Sequence, residues 1–395
     1  MGHLAHRPFR VRRALDSEDT RATADAVGKL GTTVTGRGEE WTVHPAMAPS
    51  ASARVTINCG ASGTTLRFAT ALSALYEGRV VLAGSTRLSE RPIDSLLGAL
   101  TSLGARCRHL RGRGLPVEVR GPIHNGRLAL DASESSQFAS ALLMALPAVS
   151  GTSAFRLTGT VVSEPYLDAT LAVLRHHGVH VERRGRRFEV DGGQRPRGTE
   201  FEVPGDASSA AYLWAAASMA GGSVRVTGIP AKWPQADLAV LGLLERGGAS
   251  ISRTFDGATV AYSTRRPFRI DLTASPDLYP LAGVLAATAD GTSRISGALH
   301  VAVKESNRKL ETARLARQLG ARVGLTASGL TIEGTPRPRA LDLRGVTDHR
   351  LMMSAAVGAL AADGTSRLGN ATSVAKSFPG FWRALSEISD GVMGP

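Results

Sequence analysis

Two helical patterns alternate along this chain. The first is amphipathic. Leu96, Leu100 and Leu103 fall at i, i+4 and i+7, as do Leu167, Leu171 and Leu174, which lines one helix face with apolar side chains. Each such helix ends at a glycine in a phrase of one type: KLGTTV, SLGARC, RHHGVHV, ERGGASI or RQLGARV. A glycine past the last turn adopts the left-handed conformation that stops a helix. These glycines, Gly31, Gly104, Gly178, Gly248 and Gly320, stand 73, 74, 70 and 72 residues apart, and one further step reaches Gly391, just after FWRALSEI. A fixed period predicts repeated structural modules, here six. After each glycine comes a β-rich stretch, and VHVERRGRRFEVDGG predicts a hairpin.

The second pattern is apolar nearly all round. It occurs in TTLRFATALSALY, SQFASALLMALPA, SSAAYLWAAASMA, LYPLAGVLAATA and HRLMMSAAVGALAA. Helices of this kind belong inside a domain, and these are too short to span a bilayer. Five buried helices stand against six amphipathic ones. The first amphipathic segment, SEDTRATADAVGKLG, has only GHLA before it where a buried partner should end. The repeat therefore predicts that about thirty residues are missing upstream. Six repeats suggest two domains of three, residues 1–204 and 205–395, with the active site expected in the cleft between them. The expected fold class is α/β, each domain holding three pseudo-symmetric units.

Composition narrows the function. The 395 residues fit two domains. A hydrophobic share of 43% with 21% charged residues excludes wholesale disorder. Two cysteines, Cys59 and Cys107, exclude a disulfide framework and fit a reducing compartment. No signal-length apolar run follows the Arg- and His-rich start, so a cytoplasmic protein with no membrane span is expected. The net charge of +13 suits anionic partners. The basic residues are scattered, with little aromatic interleaving, which argues against nucleic acid and for small anionic substrates. Lysine is scarce: five of the 47 basic residues, at 29, 232, 304, 309 and 376.

Several segments carry chemistry-bearing residues at helix starts. In Asn58–Arg67, NCGASGTTLR, a glycine-rich loop opens a helix with Gly63 in its first turn. Exposed backbone N–H groups there favour a phosphate or carboxylate. Ser135 and Ser136, in Glu134-Ser-Ser-Gln-Phe138, can donate to a phosphate or simply cap the helix. Asp206-Ala-Ser-Ser209 reads as a cap alone. Lys304 and Arg308, at i and i+4, are expected to share a helix face with Glu305 beside it, which suits a bound anion and proton transfer. Asp348-His349-Arg350 opens an apolar helix, and Lys376 sits in VAKSFPGF. Asp277, in SPDLYPLAG, either caps the following helix or acts chemically. Equivalent positions of repeated units can converge, and this set suits a multiply anionic substrate that needs acid–base chemistry. No metal-ligand spacing and no nucleotide fingerprint appears.

NCGASGTTLR, RLSERPI, SSQFASALLMALP, SEPYLD, GDASSAAY, SPDLYPLA, VKESNRKL, TDHRLMM and AKSFPGF together resemble the motifs of the EPSP synthase (3-phosphoshikimate 1-carboxyvinyltransferase) family, in the family's order and over almost the whole chain. The resemblance implies a two-domain enolpyruvyl-transferase fold of βαβαββ-type units. It implies transfer of the enolpyruvyl group of phosphoenolpyruvate (PEP) to the 5-hydroxyl of shikimate 3-phosphate, with release of phosphate and no cofactor or metal. By the same resemblance Ser135, Ser136, Gln137, Ser163, Tyr166, Asp277, His300 and Lys304 match shikimate-phosphate positions. Gly63, Arg91, Gln137, Arg308, His349, Arg350 and Lys376 match PEP positions. Asp277 matches the proton acceptor and Glu305 the proton donor. With each site completed within one chain, a monomer is expected.

This chain departs from the family pattern in places. The family's opening PGSKS-type motif falls in the segment expected upstream. Ala61 stands where Asn is common, His300 where Asn contacts substrate, and Glu164 where Lys or Arg is usual. These departures motivate a competing reading: a divergent member acting on another cyclic alcohol, or eliminating phosphate from a shikimate-like phosphate without PEP.

Overall fold

A computed structural model describes residues 2–45, 54–262 and 264–389; Gly391, the expected end of the sixth repeat, lies outside them. The chain divides into two compact units, Met1–Val203 and Pro204–Pro395, each with its own apolar core.

The first unit contains strands β1 (Phe9–Arg12), β2 (Thr33–Arg37), β3 (Glu40–His44), β4 (Arg54–Asn58), β5 (Arg79–Ala83), β6 (Arg106–His109), β7 (Val117–Arg120), β8 (Arg127–Asp131), β9 (Thr152–Thr158), β10 (Glu182–Arg184), β11 (Arg187–Asp191) and β12 (Phe201–Glu202). Its helices are α1 (Glu18–Lys29), α2 (Gly63–Ser73), the single turn α3 (Thr86–Ser89), α4 (Asp94–Ser102), α5 (Gln137–Ala145) and α6 (Pro165–His176). The module β4-α2-β5-α4-β6-β7 closes into a sheet of order β4-β5-β7-β6, and β8 to β11 repeat it as β8-β9-β11-β10. In both sheets the first two strands are parallel and joined by a buried helix. The third sheet has the same plan, β12-β1-β3-β2, but its outer parallel strand β12 comes from the far end of the unit. The hairpin expected in VHVERRGRRFEVDGG is β10–β11.

The second unit contains α7 (Ala207–Ala220), α8 (Ala239–Arg246), α9 (Tyr279–Ala287), α10 (Arg308–Gln318), α11 (His349–Ala359) and α12 (Phe381–Glu387). Its strands are β13 (Ser223–Thr227), β14 (Ser250–Thr254), β15 (Gly257–Ala261), β16 (Arg269–Asp271), β17 (Thr292–Ser296), β18 (Arg322–Thr326), β19 (Gly329–Glu333), β20 (Asp342–Leu343) and β21 (Arg367–Leu368). The four strands β16-β17-β19-β18 repeat the module again.

The two helical patterns correspond to two environments. Every residue of α9 is buried, and α7 and α11 are buried along most of their length. Amphipathic α6 buries only Leu167 and Leu174. Small residues let the inner helices approach closely: a Cβ on Gly283 of α9 would lie 2.0 Å from Thr312 Cγ2 of α10. The repeat glycines Gly31, Gly104, Gly178, Gly248 and Gly320 all have positive φ, between 76° and 105°, where an L side chain would be strained. Among the described residues no helix is long and apolar enough to cross a membrane.

Candidate active site

In the first unit the candidate residues gather at the starts of α2, α5 and α6. Ser62 caps α2 by accepting from the Thr65 N–H at 3.2 Å. Gly63 follows, and its missing side chain matters. A Cβ there would stand 2.3 Å from Arg67 Nη1 and 2.7 Å from Arg91 Cζ. Two guanidiniums therefore converge on the helix start only because residue 63 is glycine. Arg67 is fully buried, donates to the Pro92 carbonyl at 2.7 Å and lies 5.9 Å from the Phe138 ring centroid. This arginine lies inside NCGASGTTLR, and its signal in the sequence is a cation in an otherwise apolar helix.

Gln137 begins α5. Its Nε2 donates to Thr64 Oγ1 at 3.0 Å, and its buried Oε1 has no hydrogen-bond partner among the described residues. Ser135 Oγ accepts from the Gln137 N–H at 3.2 Å, whereas Ser136 at the cap position makes no capping bond. The capping alternative thus does not account for the Ser136 hydroxyl. Ser163 is buried in the left-handed region, φ 55°. For a non-glycine residue this conformation costs energy and is a feature of functional turns. Tyr166 follows in the first turn of α6. Glu164 ion-pairs with Arg183, which also holds Asp168 at 2.6 Å and sits over the Phe188 ring. The departure at Glu164 is thereby used within the unit as part of a surface charge network.

In the second unit the candidates form one connected charge cluster around Arg308, whose side chain is 1% exposed. Arg308 donates to Asp277 Oδ1 at 2.6 Å, to Glu305 Oε2 at 2.8 Å and to Asp348 Oδ2 at 2.9 Å. Asp277 also meets Arg350 at 3.1 Å and Lys304 at 3.8 Å. Glu305 Oε1 accepts from Lys376 Nζ at 3.1 Å. Four cations and three carboxylates are thus interlocked. Asp348 also caps α11, accepting from the Arg350 N–H at 2.9 Å.

The structure corrects one expectation. Lys304 and Arg308 do not share a helix face, because α10 starts only at Arg308, capped by Asn307. Lys304 ends the short 3-10 helix Leu299–Val303 in extended conformation. The two cations meet instead on Asp277. Capping does not describe Asp277 either, since neither its own 3-10 turn nor α9 has a side-chain cap bond. Asp206 does cap α7, accepting from the Ser208 and Ser209 N–H groups.

Burial would raise the Asp277 carboxyl, but Arg350, Lys304 and Arg308 outweigh it and hold it well below the usual carboxylate range. Asp348 is lowered in the same way: burial opposes, and Arg308 prevails. Asp237, never singled out in the sequence, is fully buried beneath this cluster. It accepts from the Ser208 hydroxyl and is pushed up to about 6 by burial and by the neighbouring Asp277. His349 is lowered to about 3, chiefly by burial and then by Arg350. His300 is lowered to about 4, by burial and then Lys304, and neither ring nitrogen has a hydrogen-bond partner among the described residues. At neutral pH both imidazoles are uncharged, so the positive field comes from Lys304, Arg308, Arg350 and Lys376.

The sign for His349 is definite. Unfolded, it takes up a proton near pH 6.5; folded, it refuses one until about pH 3. Its contribution is therefore present above pH 6.5 and is lost as pH falls from there towards 3. Unfolding midpoints of wild type and His349→Gln, measured between pH 7.5 and 4.5, should diverge, with the wild type losing up to about 1.4 kcal/mol per pH unit more than the variant.

Fold and cluster together define a two-unit α/β enzyme equipped for anionic substrates and proton transfer. The family model described as EPSP synthase (3-phosphoshikimate 1-carboxyvinyltransferase) matches residues 1–385. The chain is 39% identical over 393 residues to the 3-phosphoshikimate 1-carboxyvinyltransferase of Methanoculleus marisnigri, covering 97% of this chain and 92% of the relative. It is 40% identical over 389 residues to that of Halobacterium salinarum, covering 96% and 90%. The EPSP synthase of Acinetobacter baumannii shares the fold, with a TM-score of 0.81 at 24% identity, over 100% of this chain and 92% of that one. This chain belongs to the EPSP synthase family.

Proposed function

We propose that this chain transfers the enolpyruvyl group of PEP to the 5-hydroxyl of shikimate 3-phosphate, releasing phosphate. The observation that carries this reading is the Arg308-centred cluster, joined to close relatives that bear the name of this activity. Ser135, Ser136, Ser163 and Lys304 hold the shikimate phosphate, with Gln137, Tyr166 and His300 on the ring. Gly63, Arg91, Gln137, Arg308, Arg350 and Lys376 hold PEP, beside neutral His349.

The hydroxyl oxygen adds to C2 of PEP while Asp277 takes its proton and Glu305, in its acid form, gives one to C3. The tetrahedral adduct then loses phosphate from C2, which leaves with the proton held by Asp277, and Glu305 takes back a proton from the new methyl, leaving the enol ether. Asp277 starts as a firmly ionised carboxylate, ready to accept but a weak base. Incoming phosphate and carboxylate groups compete for Lys304, Arg350 and Arg308. As those cations turn to substrate, Asp277 is less stabilised as an anion and becomes more basic. Fixed cations also offset the charge that develops on the leaving phosphate.

Product analysis tests the reading. Incubation with PEP and shikimate 3-phosphate should give the enol ether by mass spectrometry and one equivalent of inorganic phosphate. A product lacking the carboxyvinyl carbons would favour elimination instead, an activity other than the one the two relatives described above are named for. Gly63→Ala should raise the KM for PEP by about 10- to 100-fold, because its methyl displaces the two guanidinium tips, and should lower the melting temperature as well, because buried Arg67 has little room to yield. An unchanged KM would remove Gly63 and Arg91 from the PEP site. The same reading has the enzyme act as a cytoplasmic monomer, which sedimentation of the purified chain checks as to oligomeric state.

A further inference from the structure

The outward face of the β4-β5-β7-β6 sheet breaks a rule that the other sheets of this unit keep. Val55, Val80, Val119 and Cys107 point to the core, so their neighbours Arg54, Arg79, Arg120 and Arg106 point away from it. Arg54 stands directly opposite Arg79, and Arg106 directly opposite Arg120. The Val80–Val119 pairing sets Arg79 beside Arg120. Four arginines therefore form one continuous row across all four strands. Strand spacing makes the row about 14 Å long. Arg54, Arg106 and Arg120 are exposed. Arg108 adds a fifth cation on the next rung, and Glu118, paired with Arg79 and Arg108, is the one carboxylate on these strands.

Like charges directly opposite on a sheet are destabilising. In the β10-β11-β9-β8 sheet the comparable row Arg156, Arg187 and Arg184 is offset by Glu189 and Glu182, which pair with Arg187 and Arg184. In the β12-β1-β3-β2 sheet Arg12 faces Glu40 and Glu202. In the row on β4-β5-β7-β6 only Arg79 has such a partner, Glu118; among the described residues no carboxylate pairs with Arg54, Arg106 or Arg120, so three of the four charges are open to an anion from outside. The guanidinium fork is suited to phosphate oxygens. The outward residues of these strands include no aromatic ring: Arg54, Thr56, Asn58, Arg79, Val81, Ala83, Glu118, Arg120, Arg106 and Arg108. A platform for stacking nucleic-acid bases is thus missing.

We propose that this sheet face is a docking surface for a linear, base-free chain of phosphates, inorganic polyphosphate being the form that matches it. It lies apart from the residues assigned to catalysis and does not depend on the enolpyruvyl-transfer reading. The test is titration of the full chain with fluorescently labelled inorganic polyphosphate at 50 and 200 mM salt. Four phosphate contacts predict a log–log salt slope of about −3, or roughly 60-fold weaker binding across that range. The double variant Arg54→Gln/Arg106→Gln should bind at least about tenfold more weakly, with about half the slope, at unchanged phosphate-release activity and unchanged circular dichroism. Arg184→Gln/Arg187→Gln, on the compensated sheet, should bind as wild type does. Failure to bind at 50 mM salt, equal binding by the first double variant, or tighter binding of a single-stranded oligonucleotide of equal charge would each overturn the proposal.

Discussion

Asp277→Asn should lower kcat by about 10²–10⁴-fold, the usual range for removing a positioned proton acceptor, while leaving the KM for both substrates unchanged or lower. Asn keeps the shape of Asp277 and an oxygen facing Arg308, so the fold of the cluster survives. It removes the negative charge and the basicity. Lys304, Arg308 and Arg350 now answer to Asp277 at 3.8, 2.6 and 3.1 Å, and with that anion gone they are more available to anionic substrates. The split is diagnostic: a binding role would raise KM, a base role lowers kcat. Because Asp277 already lies well below the usual carboxylate range, the acid limb of wild-type kcat/KM is not set by it. Steady-state kinetics with each substrate varied decides the matter, and a loss of kcat smaller than tenfold would remove Asp277 from the role of base.

Arg308→Met should destabilise the protein by about 3–5 kcal/mol, the cost of removing one partner from a buried ionic network. Methionine roughly fills the volume but leaves Asp277, Glu305 and Asp348 without the cation they share. For a unit of this size that corresponds to a fall in melting temperature of roughly 6–20 °C. The pH dependence identifies the cause. In the variant Asp277 keeps Arg350 and Lys304, and Glu305 keeps Lys376, but fully buried Asp348 loses the cation that outweighs its burial. Its carboxyl is pushed up, so it contributes stability when protonated and loses it as pH rises through the raised value. The stability deficit of Arg308→Met should therefore shrink as pH is lowered from 8 towards 5. Arg308→Lys should rescue little, because one ammonium cannot span three carboxylates. A constant deficit across that range would mean lost packing rather than lost charge compensation.

The helices and their environments were legible because they are periodic. Apolar side chains all round put α7, α9 and α11 inside, and a glycine at each helix end recurs with the repeat. Gly63, Ser136, Asp277 and Arg350 stand out as candidates in the sequence because each sits at or near a helix start in a phrase of unusual composition, and Glu305 because it lies between Lys304 and Arg308. What escaped depends on tertiary distance. Asp237 is a lone acid in WPQADLAV with no spacing signal, and only folding buries it near Asp277 and Arg350. Asp348 stood in a quoted motif, yet its bond to Arg308 spans 40 residues. The Lys304–Arg308 expectation failed for a local reason: i, i+4 spacing holds only within a helix, and Asn307, by capping α10, starts it too late to include Lys304.

The most direct test of enolpyruvyl transfer is phosphate release by the purified chain supplied with shikimate 3-phosphate, with and without PEP. Release that requires both substrates, stoichiometric with PEP consumed, is the predicted result. Release from shikimate 3-phosphate alone would contradict it and would assign the Arg308 cluster to an elimination reaction instead.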